Sequence, residues 1–267
     1  MPVVVHLSDL HFGAATDEVP ESLVADVAAL GPDLVVVSGD LTQRARRDQF
    51  LRARAFLDRL PRPLLTVPGN HDLPLFDVPR RFLDGTGRYR SHVHPDLDPV
   101  LGLPGLVVVG LDSMRPWRWK AGHVTAAQAD LVRRTLDAAP PDAWRVVVTH
   151  HPVLPGRPLD LVGRARLVRA CADGRLSVLM AGHTHLAATG VVPLGEAGRS
   201  AVSVVAGTAT STRTRGTPNG YAVLRLDPLM VTGARLDVEL REHRGSAWST
   251  TRTDSFRCTP SGVEPGT

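Results

Sequence analysis

The chain has 267 residues, 43% hydrophobic and 22% charged, with a formal net charge of +4. That balance excludes a disordered or low-complexity chain and suits a soluble protein with a core large enough for one α/β domain. The small positive excess is spread over scattered arginines rather than gathered into a block, which argues against nucleic acid as the partner.

In chain order, Val3–Leu7 reads as a strand with no signal-peptide pattern before it, and no apolar run reaches the ~20 residues that a membrane helix needs. A cytoplasmic location is therefore expected. Glu21–Leu30 has helical spacing and stops at Gly31-Pro32, and Leu34–Val37 is a buried-strand run. A helix over 43–60, with Phe50, Leu51, Phe56, Leu57 and Leu60 on its apolar face, leads to a strand over Leu64–Val67. From 73 to 104 the periodicity fails among Pro, Arg, His and Gly, so this segment is expected to be a loop or lid. Leu106–Val109 is a strand, and Thr125-Ala-Ala-Gln128 is a capping box opening a helix to about Ala139. Val146–Val148 and Ser177–Met180 are strands flanking a helix over 160–172. Beyond Ser200 only short strands follow, at 201–206, 221–226 and 234–242, which suggests a second sheet. With neither repeat nor linker, residues 1–257 are expected to form a single domain and 258–267 a disordered tail. Cys171 and Cys258 make no C-x-x-C pair; Cys171 is expected to pack as a small hydrophobe and Cys258 to be free.

The polar residues of interest share one location. Asp9 and His11 follow the first strand, and Gly39-Asp40 follows the second. Gly69-Asn70-His71-Asp72, His150-His151-Pro152 and Gly182-His183-Thr184-His185 each follow another. Carboxyl ends of strands are where ligands bind in α/β sheets, so these segments are expected to converge on one rim. Asp9 and His11, like His183 and His185, are two apart, and in extended chain such pairs point the same way. Asp9, His11, Asp40, Asn70, His150, His183 and His185 are too many ligands for one tetrahedral ion and suit two, with Asp40 as the candidate bridge. Imidazole, carboxylate and amide oxygen without thiolate favour Mn, Fe or Zn over Mg or Ca. Two such cations would leave a positive site for a phosphate ester and would promote ionisation of the attacking water. His71 would contact the phosphoryl group or protonate the leaving oxygen. Each motif alone has an ordinary structural explanation; their order and shared position do not.

These motifs, in this order, resemble the calcineurin-like metallophosphoesterase superfamily over residues 9–185. The resemblance implies a four-layer α/β/β/α sandwich with two central mixed sheets. It also implies that one ion takes Asp9, His11, Asp40 and His185 and the other Asp40, Asn70, His150 and His183, with Asp40 and His71 as catalytic residues. His151 would orient His150 or face the cleft. The segment after Asp40 lacks the Gly-Asp-x-x-Asp-Arg-Gly signature of protein phosphatases. The short length, His-His-Pro and Thr217–Tyr221 look like bacterial cyclic-nucleotide and glycerophosphodiester phosphodiesterases, implying a small-molecule phosphodiester substrate. Phosphomonoesterase, nuclease and non-catalytic scaffold are the alternatives, and a homo-oligomer stays open. Arg80, Arg81, Arg88, Arg90, His92, His94, Trp117 and Trp119 are candidates for substrate selection.

Overall fold

The valine-rich strands build two sheets that lie back to back. The computed structural model describes residues 1–16, 18–153, 161–195, 198–229, 233–259 and 262–266. The first part of the chain gives β1 (Val3–Leu7), α1 (Glu18–Leu30), β2 (Leu34–Val37), α2 (Arg47–Leu57), β3 (Leu64–Thr66), α3 (Val78–Asp84) and α4 (Gly87–His92). The middle gives β4 (Val100–Leu103), β5 (Leu106–Leu111), β6 (Gly122–His123), α5 (Ala126–Asp137), β7 (Trp144–Thr149), β8 (Leu161–Val162), α6 (Arg164–Asp173) and β9 (Val178–Ala181). The remainder is all strand: β10 (Ala188–Pro193), β11 (Ser200–Val205), β12 (Gly220–Leu226), β13 (Arg235–Arg244), β14 (Ala247–Thr259) and β15 (Gly262–Pro265).

The first sheet has the order β15-β14-β13-β12-β1-β2-β3 and the second β10-β11-β9-β7-β5-β4. Each is mixed: parallel at β1-β2-β3 and at β5-β7-β9-β11, antiparallel elsewhere. Alternation of side chains along each strand explains the layering. Val4, Val36, Val108, Val146, Val148 and Val178 point into the core between the sheets. Val5, Val35 and Val37 point the other way, onto Leu23, Val27 and Phe50 of α1 and α2. Val109, Val147 and Leu179 likewise meet Val132, Leu136 and Leu167 of α5 and α6. Strands covered on both faces need apolar residues at every position, as in the fully buried Leu-Val-Val-Val of β2. The result is the expected four-layer α/β/β/α sandwich. Among the described residues no helix is long and apolar enough to cross a membrane.

Three expectations need correction. The 73–104 segment is not an irregular loop: α3, α4 and β4 lie within it. These elements are too short to show an apolar period. The strands after residue 200 do not make a sheet of their own. β11 joins β9 in parallel, while β12 to β15 extend the first sheet beyond β1. The tail is not disordered where described. Cys258 and Thr259 belong to β14, and Val263 of β15 is buried, bonded through its N–H to the Ser200 hydroxyl at 2.9 Å. Pro260, Ser261 and Thr267 lie outside the described residues. Cys171 is buried, and both cysteines are free thiols.

The Thr125 capping box forms, with Thr125 Oγ1 accepting from the Gln128 N–H at 3.1 Å and Gln128 Oε1 from the Thr125 N–H at 2.9 Å. The Gln128 amide donates onward to Asp98 and to the Asp112 carbonyl. Burial pushes the Asp112 carboxyl up to about 7, with Arg115 3.5 Å away opposing. A carboxyl raised in the folded state stabilises most below its unfolded value near 4, and that contribution is lost as pH climbs through about 7. Asp112→Asn cannot ionise. Its unfolding free energy relative to wild type is expected to improve by roughly 1–3 kcal/mol between pH 5 and 8 in urea titrations. A pH-independent difference would refute the assignment.

Candidate metal centre

All seven candidate ligands come together at the carboxyl ends of the strands. Asp9, His11, Asp40 and Asn70 follow β1, β2 and β3 of the first sheet; His150, His183 and His185 follow β7 and β9 of the second. The backbone does this in an unforeseen way. Asp9, His11, Asp40, His183 and His185 have φ of 54°, 50°, 54°, 70° and 63°. They make five of the eight non-glycine residues with positive φ among the described residues. The reading of Asp9/His11 and His183/His185 as extended pairs is therefore wrong. Left-handed turns, each costing about 1 kcal/mol or more, fold each pair back onto one point. The strain is held by a lattice of bonds. The Asp9 and His11 N–H groups donate to the carbonyls of Gly39 and Asp40, and Thr208 and Thr210 hydroxyls donate to the carbonyls of Asp9 and Leu10. This threonine-rich support carried no sequence signal.

The donor atoms form two groups that meet at Asp40. Those of Asp9, His11, Asp40 and His185 lie within 4.8 Å of one another. His11 Nε2 is 3.1 Å from His185 Nε2 and 3.6 Å from both Asp9 Oδ1 and Asp40 Oδ2. In the second group His150 Nε2 is 3.4 Å from Asp40 Oδ2 and 3.2 Å from Asn70 Oδ1. His183 Nδ1 is 3.0 Å from Asn70 Oδ1 and 3.3 Å from His150 Nε2. One oxygen, Asp40 Oδ2, faces both groups.

The second ring nitrogens show what this arrangement requires. His150 Nδ1 lies 2.8 Å from the Ser38 carbonyl and His185 Nδ1 2.7 Å from that of Arg213. A carbonyl only accepts, so both Nδ1 atoms carry the proton, and in the neutral rings both Nε2 atoms turn lone pairs inward. Lone pairs of imidazoles, carboxylates and an amide crowded within hydrogen-bond distance demand positive charge between them. Asp9 Oδ1 is buried without a hydrogen bond. The same demand governs protons. Burial opposes ionisation of Asp9, yet the imidazoles of His11 and His185 beside it hold it well below the usual carboxylate range. Burial also opposes charge on His150, but the adjoining Asp40 carboxylate raises it to about 9. The residues thus fit divalent cations, with ring orientation fixed by backbone carbonyls as metal-binding histidines require.

His71 stands beside these groups, its ring edge-on to His11 with centroids 4.8 Å apart. Its N–H donates to Asp40 Oδ1 at 2.8 Å, and its Nδ1 donates to the Gln43 carbonyl at 2.8 Å. Nε2 is left for a ligand. His151 does not face the cleft. It is fully buried, donating from Nε2 to the Lys120 carbonyl, accepting at Nδ1 from the Ser113 hydroxyl, and packed on His150 and His183.

Asp72 was part of a motif without a role, and the structure supplies one. Its buried carboxylate accepts from the N–H groups of Gly69, Leu41 and Thr42 and from the Thr42 hydroxyl. It thereby ties the loop bearing Asn70 and His71 to the loop bearing Asp40. The loops touch so closely that a Cβ at Gly69 would lie 2.2 Å from Asp40 Oδ1, and Gly39 has φ of +99°. Asp72→Asn turns an acceptor into a donor against these N–H groups. It is expected to cost about 1–3 kcal/mol of stability in denaturant titrations. A variant as stable as wild type would contradict the bracing role.

The selectivity candidates are largely committed elsewhere. Arg81 is buried on three carbonyls, Arg88 donates to the Ala45 carbonyl, and His92 and His94 bond within their own turns. Trp117 and Trp119 are exposed.

Comparison with known proteins agrees with the geometry. The family model described as calcineurin-like phosphoesterase matches residues 2–187. The chain is 28% identical over 205 residues to a protein of Rhodococcus erythropolis named a probable cyclic nucleotide phosphodiesterase, covering 70% of this chain and 65% of that one. It is 30% identical over 199 residues to the 3',5'-cyclic adenosine monophosphate phosphodiesterase of Pseudomonas aeruginosa, covering 68% of this chain and 69% of that one. The fold matches the crystal structure of a dimetal phosphatase from Danio rerio with a TM-score of 0.66 at 15% identity, over 94% of this chain and 99% of that one. The chain belongs to the calcineurin-like phosphoesterase family.

Proposed function

We propose that the protein is a dinuclear metal-dependent phosphodiesterase acting on a small-molecule phosphodiester, with a cyclic nucleotide the first substrate to test. The observation that carries this reading is Asp40 Oδ2, placed 3.6 Å from His11 Nε2 and 3.4 Å from His150 Nε2. One carboxylate oxygen shared by two donor sets suits two neighbouring ions. In this reading Asp9, His11, Asp40 and His185 hold one ion, and Asp40, Asn70, His150 and His183 the other. Mn, Fe or Zn would match the nitrogen-rich set. When bound, the ions supply Lewis-acid polarisation of the phosphoryl oxygens and a lowered pKa for the attacking water.

The chain's own residues do the rest. Asp9 and Asp40 offset part of the cationic charge and leave the site attractive to an anionic ester. Ser38 and Arg213 keep His150 and His185 in one tautomer. His71, fixed by Gln43, keeps Nε2 for a phosphoryl oxygen or for the proton of the leaving oxygen. The substrate preference is supported by the phosphodiesterase names of the relatives.

A metal-reconstituted activity panel tests the reading, comparing an aryl phosphodiester, the matching monoester and cyclic AMP across Mn, Fe and Zn. Diester turnover abolished by a chelator is expected, with cyclic AMP turnover assigning the substrate. Turnover of the monoester alone would replace diesterase by monoesterase. Two bound ions without turnover of any ester would sink the enzymatic reading.

A further inference from the structure

Six of the eleven large hydrophobic side chains exposed among the described residues lie on two neighbouring segments. Phe76, Val78, Phe82 and Leu83 sit on or just before α3, and Trp117 and Trp119 in the loop before β6. Single exposed hydrophobics are ordinary, whereas a gathered set marks an interaction surface.

Arg81 makes the two segments one surface. It is only 1% exposed, and its guanidinium donates to the carbonyls of Pro74 at 2.9 Å, Pro116 at 2.7 Å and Arg118 at 2.7 Å. It also lies 4.4 Å from the centroid of the Trp119 ring. Val78 and Phe82, one helical turn apart, share a face of α3, and Arg81 is drawn into the base beneath. Arg81 therefore ties the α3 segment to the loop that bears Trp117 and Trp119, and the hydrophobic side chains of both stay exposed.

That surface borders the metal centre at two points. The Gln43 carbonyl holds His71, and the next residue, Arg44, lies 4.9 Å from the Phe76 ring centroid. The Lys120 carbonyl receives His151, which packs on His150 and His183.

The charge around the rings decides what covers them. Arg44, Arg80, Arg118 and Lys120 stand against Asp77 and Asp84, and Asp77 is engaged by Arg80 at 3.2 Å. Trp, Phe and Leu edged by arginine and lysine complement an anionic bilayer surface. There the rings enter to headgroup depth while the cations meet lipid phosphates. A second copy of the chain would bring the same positive excess against itself. We propose that this surface docks the protein on an anionic phospholipid bilayer, with the metal centre beside the membrane interface.

The test is co-sedimentation with vesicles of phosphatidylcholine alone and of phosphatidylcholine mixed with phosphatidylglycerol. Wild type is compared with the double variant Phe82→Asp/Leu83→Asp, whose thermal midpoint serves as the control for folding. Wild type is expected to bind the mixed vesicles at least about tenfold more tightly than the neutral ones, and the variant to lose at least about tenfold in that binding while melting as wild type does. The proposal fails if wild type does not sediment with the mixed vesicles, or if the variant binds them equally well. A wild-type dimer in sedimentation velocity that the double variant dissolves would assign the surface to a second copy instead, and also overturns it. If the double variant does not fold, Trp117→Asp takes its place with the same outcomes.

Discussion

Asp40→Ala is expected to remove both metal ions together and to lower turnover by about 10³-fold or more. The carboxylate is held by the His71 N–H at 2.8 Å on one oxygen, while the other faces His11 and His150. Among the described residues no second side chain is placed between the two donor groups in this way. Its loss leaves the first group with one carboxylate among its histidines and the second with none. Metal analysis after dialysis should therefore fall from two ions per chain to below one. Two tightly held ions in the variant would refute the shared role. Because Asp40 has φ of 54°, alanine also disturbs the backbone, whereas asparagine tolerates this conformation. Asp40→Asn separates the effects, and loss of both ions there as well assigns the effect to charge.

His71→Ala is expected to do the reverse, keeping both ions while kcat falls by about 10²–10⁴-fold, the range for loss of a positioned proton donor or acceptor. Its Nδ1 is committed to the Gln43 carbonyl. The ring stands edge-on to that of His11 and is not among the donors of Asp9, His11, Asp40 and His185 gathered within 4.8 Å of one another. Parallel metal analysis and kinetics distinguish the outcomes. Loss of the ions would make His71 a ligand or a structural support and remove its proposed part in catalysis.

How much of this could be read beforehand follows from which interactions are local. Strands such as Leu34–Val37 and the Thr125 cap are written in consecutive residues, and so were legible. The motif residues were legible because each follows a strand, and strand ends of a layered fold converge. The left-handed turns at Asp9 and His183 were not, since aspartate and histidine adopt several conformations and only tertiary bonds select this one. Nor was the Asp72 brace, whose partners lie about thirty residues away. The strands β11, β12 and β13 read correctly as strands, whereas β14 was not read, and which sheet each joins depends on pairing over long separations. The C-terminal strand was missed because Pro and Gly outweighed Val263, whose burial depends on Ser200 of the other sheet.

The candidate donors come from both sheets, and in the proposed assignment neither sheet alone carries a full set for either ion. Asp9, His11, Asp40 and Asn70 ride on one, His150, His183 and His185 on the other. During synthesis the amino-terminal strands leave the ribosome first, bearing acids and an amide but only one of the four ligand histidines. On the proposed assignment they complete neither donor set until β7 and β9 have docked. In the proposed two-ion centre, metal capture would therefore require the two halves of the sandwich to have closed in register, and a misdocked chain would lack a complete donor set.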